Sequence, residues 1–248
     1  MSFGLGRGRQ LDVAPGTVGI TAQELGPLPD EILTNPEAGW IDASALFAQP
    51  DQPLEIEIGS GKGTFILEQA QAQPDVNFLG IEWAREFYAY TADRIRRRGL
   101  ENVRMLNADA TEFLHWRCSS EMTRIIHLYF SDPWPKSRHH KKRVLQDQFL
   151  ADAWRILVPG GQIRIVTDHD DYWQWMEQHF ARWTSPDSWK LLAGSPPANE
   201  ANHGPFIQLP FERLETAGEG ELVGSNFERK YEREGRPFHA CVLRKCSQ

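Results

Sequence analysis

The chain has 248 residues, 40% hydrophobic and 25% charged, with nine Trp, a balance that suits one large folded core rather than a disordered chain. No apolar run approaches the ~18 residues of a membrane span, and the Gly- and Arg-containing start, Met1 to Gln10, has no apolar run behind it, so neither a membrane protein nor a secreted one is expected. Three cysteines, Cys118, Cys241 and Cys246, form no CxxC pair, which argues against a zinc knuckle or a disulfide framework and for a reducing cytoplasm.

Residues 1–50 are rich in Gly and Pro (Pro15, Gly16, Pro27, Pro29, Pro36) and read as a loop-rich N-terminal extension; residues 51–248 read as one domain. From Leu54 short apolar runs alternate with helix-length stretches. The pattern predicts a strand from Leu54 to Ile58, a helix from Thr64 to Ala72, a strand from Phe78 to Glu82 and a helix from Ala84 to Arg98. It continues with a strand from Val103 to Leu106, a short helix around Glu112, a strand from Arg124 to Phe130, a helix from Gln146 to Leu157 and a strand from Gln162 to Thr167. Such alternation makes an α/β fold with a mostly parallel sheet and helices on both faces. After Thr167 comes a helix whose Tyr172, Trp175, Met176 and His179 share one face, with Trp173 and Phe180 beside it; that spacing is read as core packing. Residues 193–224, with nine Gly or Pro, read as a long loop, and Ala240 to Leu243 as a last strand.

The sharpest motif is Glu57-Ile58-Gly59-Ser60-Gly61-Lys62-Gly63, where a strand ends and a helix begins. Glycines there let the chain turn tightly and bring bare backbone against a ligand. Glu82 closes the next strand, where a carboxylate can accept hydrogen bonds from both ribose hydroxyls of an adenosine cofactor. ATP on a phosphate-binding loop would need GxxxxGK[ST], and Lys62 is followed by Gly63. NAD would prefer GxGxxG, which brings a helix N-terminus to a pyrophosphate. S-adenosylmethionine carries an ammonium and a sulfonium and no phosphate, so Glu57 beside the glycines suits it. Asp109, followed by Ala110, is placed to accept from an adenine amino group, or else to cap the short helix after it.

After the fourth strand of the alternation comes Ser131-Asp132-Pro133-Trp134-Pro135-Lys136, then Ser137-Arg138-His139-His140-Lys141-Lys142-Arg143. Five of the eight residues from Lys136 to Arg143 are Lys or Arg; the net charge of -7 speaks weakly against a nucleic-acid partner, but phosphate binding depends on local fields as much as on the total, and the alternative for such a run is a solvated face. The prolines stiffen the loop and Trp134 offers a face on which a base can stack. A second basic cluster is Arg229, Lys230, Arg233 and Arg236.

These pieces, with Thr167-Asp168 and Ser225-Asn226-Phe227-Glu228, resemble in order the tRNA (guanine-N7)-methyltransferases over roughly residues 54–245. The resemblance implies a class I methyltransferase fold, Rossmann-like, with a seven-stranded, mostly parallel sheet, so that residues 51–248 would be a methyltransferase domain. It implies S-adenosylmethionine as methyl donor and tRNA as substrate, with the target guanine in the variable loop, conventionally position 46. Glu57, Gly59, Gly61, Glu82, Asp109, Ala110 and Asp132 would line the cofactor side. Lys136, Asp168, Ser225, Asn226, Phe227 and Glu228 would contact the substrate. Ser225 stands where the family commonly has Thr, so the hydroxyl is kept.

Guanine N7 already exposes a lone pair, so no proton need leave before attack, and the product base is cationic. Such a reaction wants placement of the reactants and carboxylates near the developing charge. Asp132 is the catalytic candidate, with Asp168 accepting from the guanine N1 and N2 hydrogens unless an acid of Asp168-His169-Asp170-Asp171 caps the next helix. No metal, membrane or obligate protein partner is expected. The rivals are an amino-group (adenine N6) methyltransferase, whose motif would have Pro at the Trp134 position, and a non-catalytic RNA-binding protein on the same fold.

Overall fold

The computed structural model describes residues 10–11, 18–188 and 203–246. Eight strands form one sheet: β1 (Gly19–Thr21), β2 (Leu54–Ile58), β3 (Asn77–Ile81), β4 (Val103–Asn107), β5 (Thr123–Tyr129), β6 (Leu157–Thr167), β7 (Phe206–Leu209) and β8 (His239–Lys245). Among the described residues six α-helices accompany them: α1 (Thr64–Ala72), α2 (Arg85–Arg98), α3 (Ala110–Arg117), α4 (Asp147–Ile156), α5 (Asp170–Thr184) and α6 (Asn226–Arg233). The spatial order is β1-β4-β3-β2-β5-β6-β8-β7, with β8 antiparallel to both of its neighbours and every other pairing parallel.

The expected α/β class and mostly parallel sheet are present, with eight strands instead of seven. The additional strand comes from the segment ahead of residue 51: Gly19 to Thr21 pair with Met105 to Asn107 along the free edge of β4. A three-residue edge strand has too few side chains to show a period of two. β7 lies inside the stretch that reads as a loop, and the part of that stretch from 193 to 202 lies outside the described residues. Its four residues pair only with β8, and two of them, Ile207 and Gln208, are exposed. The Gly and Pro around them dominate the local pattern.

The two faces of the central strands differ. Leu54, Ile56 and Ile58 of β2 join Ile126, Leu128, Ile163 and Ile165 in the main core, against Phe113 and Leu114 of α3, Phe149 and Leu150 of α4, and Tyr172, Met176 and Phe180 of α5. Tyr172 and Met176 are completely buried, as the aromatic face of the α5 segment requires. The opposite face carries Phe78, Val103 and Met105 under Ile66 and Leu67 of α1 and Ile95 of α2. Farther along, Phe65, Tyr129, Val166 and Val223 pack together.

Between those apolar groups runs a buried polar row. Glu55 accepts from His127 Nε2 at 2.7 Å and from Arg124 Nε at 2.7 Å, and the Tyr129 hydroxyl meets His127 Nδ1 at 2.8 Å. Burial works against the charge of Glu55, yet the His127 hydrogen bond and the neighbouring cations hold it below the usual carboxylate range. Each buried acceptor or donor in this row has a partner, which is what keeps so polar a strand pair stable.

Candidate active site

The loop after β2 is held open by its glycines. Gly59, Gly61 and Gly63 have φ of 77°, 52° and 68°, the left-handed region that other residues enter at a cost. A Cβ at Gly63 would collide with Thr91, whereas one at Gly59 would meet nothing within 4 Å. The Gly59 backbone is therefore exposed to an incoming ligand. Glu82 fixes the loop from the next strand: Oε2 accepts from Gly61 N at 2.8 Å and Oε1 from Ala84 N at 2.7 Å. Burial raises the Glu82 pKa, and the charge of Asp132 adds to it, so the two acids share one site.

Glu57 is 6% exposed, and its Oε2 and the neighbouring Ser60 Oγ have no hydrogen-bond partner in the protein. Burial pushes the Glu57 carboxyl up to about 8; the nearby Ser60 hydroxyl opposes the rise and Glu82 adds to it. A buried carboxyl oxygen without a partner is costly to keep ionised unless a ligand completes it. Asp109 performs the capping alternative, with Oδ1 accepting from Thr111 N at 2.8 Å and Glu112 N at 3.3 Å at the start of α3. Ala110 is the first residue of that helix. Asn107, at the end of β4, ties the Asp109 segment to the Glu82 turn by donating to the carbonyls of Glu82 and Trp83 at 2.8 and 3.0 Å.

The Asp132 loop leaves β5 through strained backbone. Phe130 and Trp134 have φ of 52° and 43° and are two of the three non-glycine residues with positive φ among those described. For bulky side chains that conformation is unfavourable and is held by its surroundings. Asp132 is exposed, and its charge reaches Glu82, Tyr172 and Tyr231. Lys136 and Arg138 are exposed as well.

Arg143 stands apart from the rest of the basic run. It is 1% exposed, donates Nε to the Pro133 carbonyl at 2.8 Å, pairs with Asp171, and lies 5.1 and 5.2 Å from the Tyr172 and Trp175 ring centroids. The dense basic run thus contains one residue that braces the Asp132 loop from beneath instead of meeting phosphates. Trp134 is also engaged: Lys142 Nζ sits 4.8 Å from its ring centroid and His139 meets it edge-on at 5.8 Å.

Ser225 caps α6, and Glu228 reaches back past it to the preceding turn. Ser225 Oγ accepts from Glu228 N at 3.0 Å, and Glu228 Oε2 accepts from Val223 N and Gly224 N at 3.0 and 2.8 Å, with Oε1 taking Leu222 N. This differs from the expectation of substrate contact at Glu228, which is 1% exposed and spends its carboxylate on the backbone. Asn226 instead reaches α1, donating to Thr64 Oγ1 at 2.5 Å. Phe227 is 43% exposed and would lie 3.6 Å from a Cβ at Gly61, so its ring sits beside the glycine loop. No acid caps α5; the His169 side chain accepts from Tyr172 N. Asp168 is bound to Arg236 at 2.7 Å.

A family model described as a putative methyltransferase matches residues 51–195. A tRNA (guanine-N(7)-)-methyltransferase of Geobacillus thermodenitrificans is 34% identical over 213 residues, covering 86% of this chain and 88% of that protein. One from Halorhodospira halophila is 32% identical over 209 residues, covering 84% and 81%.

The chain belongs to the tRNA (guanine-N(7)-)-methyltransferase family.

Another member of the family, from Geobacillus kaustophilus, is 42% identical over 147 residues, 59% of this chain and 67% of that one. Among solved structures, the aminoglycoside resistance methyltransferase NpmB1 is similar with a TM-score of 0.49 at 16% identity, covering 88% and 94% of the two chains. An aromatic group that no sequence motif announces also lies at this site. Phe130 gathers Phe227, Tyr231 and Phe238 at ring-centroid distances of 6.5, 5.9 and 5.6 Å. The four-residue spacing of Phe227 and Tyr231 was the available signal, since it puts both rings on one face of a helix.

Proposed function

We propose that the chain transfers a methyl group to N7 of a guanine in the variable loop of tRNA, conventionally position 46, with S-adenosylmethionine as donor. The observation that carries the reading is the buried Glu57 Oε2 without a partner behind an open glycine turn, with the charge of Glu82 acting on it and that of Asp132 acting in turn on Glu82. An acid set of this kind suits a cationic adenosine cofactor, whose charge favours the ionised carboxylates, and offers nothing to a pyrophosphate. Glu57, Gly59, Gly61, Glu82, Asp109 and Ala110 would hold S-adenosylmethionine, and Asp109 has Oδ2 for it because the helix cap uses Oδ1. When bound there, the cofactor supplies a methyl group made electrophilic by its sulfonium.

The protein then has to place a purine and balance its charge. Guanine N7 attacks with its own lone pair, so none of these residues needs to remove a proton. Positive charge passes to the base as the bond forms, and the exposed carboxylate of Asp132 is placed to offset it. Asp168 would accept from the N1 and N2 hydrogens, Phe227 would flank the base or the donor, and Lys136 would hold a phosphate. Asn226 fixes Phe227 to α1, and Ser225 and Glu228 fix the start of α6. Residues 51–248 would then form the methyltransferase domain and residues 1–50 an extension to it.

We place the enzyme in the cytoplasm, acting without an obligate protein partner. Among the described residues no helix is long and apolar enough to cross a membrane, and no group of three His, Cys, Asp or Glu gathers where a metal ion could sit. The three cysteines are free and buried. Nucleoside mass analysis of tRNA incubated with the protein and labelled S-adenosylmethionine tests the reaction. N7-methylguanosine is the expected product; label in N6-methyladenosine would overturn the reading.

A further inference from the structure

Asp168 does not stand alone at the end of β6. In the turn after α6, Arg236 donates Nη1 to Asp168 Oδ2 at 2.7 Å, pairs through Nη2 with Glu234 at 2.7 Å, and lays its guanidinium 4.3 Å from the Tyr231 ring centroid. The pair is open to solvent on the arginine side, with the Arg236 side chain 43% exposed and that of Asp168 11% exposed. Tyr231 connects it to the reacting side: its ring lies 5.9 Å from Phe130 and 6.1 Å from Phe227, and it feels the charges of both Asp168 and Asp132. An acceptor and a planar donor fork are thus presented side by side, next to an aromatic wall and the proposed catalytic acid.

We infer that Asp168 and Arg236 together read the Watson–Crick side of the target base, Asp168 accepting from N1–H and N2–H and Arg236 donating to O6. This rests on the guanine-N7 reading above and adds the residue that tells guanine from adenine. Guanine shows two adjacent donors and then an acceptor along that side. Adenine shows an acceptor at N1, which a carboxylate repels, and a donor at N6, which a guanidinium repels. The commonest arginine contact to guanine is bidentate, to O6 and N7. It is unavailable here, because N7 must keep its lone pair for the methyl group. An arginine restricted to O6, with a carboxylate covering N1 and N2, leaves N7 free.

A purely structural tie between the α6 turn and β6 would make the same ion pair, and a phosphate contact by Arg236 would also help tRNA binding. Base analogues separate these roles. The substrates are tRNAs with guanine, 6-thioguanine or hypoxanthine at the target position, scored as N7-methylated product per unit time under kcat/KM conditions. 6-Thioguanine keeps both donors but offers a weak acceptor at position 6; hypoxanthine keeps O6 and N1–H but lacks the N2 amino group. Wild type should lose on the order of tenfold to a hundredfold on each analogue. Arg236→Met should lose a similar factor on guanine and no longer distinguish sulfur from oxygen, while still penalising hypoxanthine. Asp168→Asn should do the reverse.

If wild type methylates guanine and 6-thioguanine tRNAs equally, the assignment to Arg236 is overturned without any variant. If Arg236→Met slows all three substrates by one common factor, the residue is a tie or a phosphate contact and the inference fails. A wild-type enzyme that methylates no guanine N7 overturns the reading of the reaction itself, a different result from equal rates on all three substrates.

Discussion

Glu57 carries a proton at neutral pH because its carboxyl is raised to about 8, while a cationic ligand favours the ionised form. Below that value, binding S-adenosylmethionine must expel the proton, so affinity should tighten as pH rises from 6 to 8 and level off above. In Glu57→Gln, affinity should be lower and this part of the pH dependence should vanish. Calorimetric titrations in two buffers of different ionisation heat measure the proton released; no release by wild type at pH 7 would remove Glu57 from contact with the cofactor. The motif was legible because an acid two residues before the glycines suits a cation. Its electrostatic coupling to Glu82 was not, since the two acids lie 25 residues apart in the chain.

Arg143 shows the opposite case, a residue whose sequence context misleads. In a row of basic residues nothing marks the one that turns inward, because the signal is its burial between Tyr172 and Trp175. Arg143→Ala should destabilise the fold by about 2 kcal/mol, from lost packing and the abandoned Pro133 carbonyl, as read from urea unfolding midpoints. Neutralising Lys136 and Arg138 together should leave the midpoint unchanged. It should instead flatten the slope of log tRNA affinity against log salt by about 1 to 2 units. An unchanged slope would show that these two side chains meet no phosphates.

At the scale of elements, the central strands were legible because strands covered on both faces read as continuous apolar runs, and α1 occupies its predicted span, Thr64–Ala72. α6 was not, because its single buried residue is Glu228 and no apolar stripe announces it. Its local signals are the Ser-x-x-Glu spacing of a helix start and the four-residue spacing of Phe227 and Tyr231, and the first coincides with residues that resemble a substrate site. Ser225→Thr should leave stability within a few tenths of a kcal/mol, since both hydroxyls cap, whereas Ser225→Ala should cost about 1 kcal/mol. Glu228→Ala should cost more, about 1 to 3 kcal/mol, by leaving the amides of Leu222, Val223 and Gly224 without their acceptor. Hydrogen exchange at those three amides, faster in the variant than in wild type, checks the cause; unchanged protection would contradict it.

Over the whole molecule, a chain of net charge -7 is expected to act on a polyanion by segregating its charges. The acids Glu57, Glu82 and Asp132 gather where β2, β3 and β5 end, and the exposed basic residues Lys136, Arg138, Lys141 and Lys142 follow on the adjoining loop. The long-range ties that shape this end of the sheet, such as Arg236 to Asp168 across 68 residues, were beyond any local pattern. The central claim is methyl transfer to guanine N7 at one place in tRNA. The direct measurement is chemical: tRNA treated with the enzyme and S-adenosylmethionine is reduced with borohydride and cleaved with aniline, which breaks the strand at N7-methylguanosine. A single new cut at a guanine of the variable loop is expected, present with wild type and reduced on the order of 100-fold or more in initial rate with Asp132→Ala at unchanged tRNA binding. Methyl label incorporated into tRNA with no cut, or a cut outside the variable loop, would contradict it.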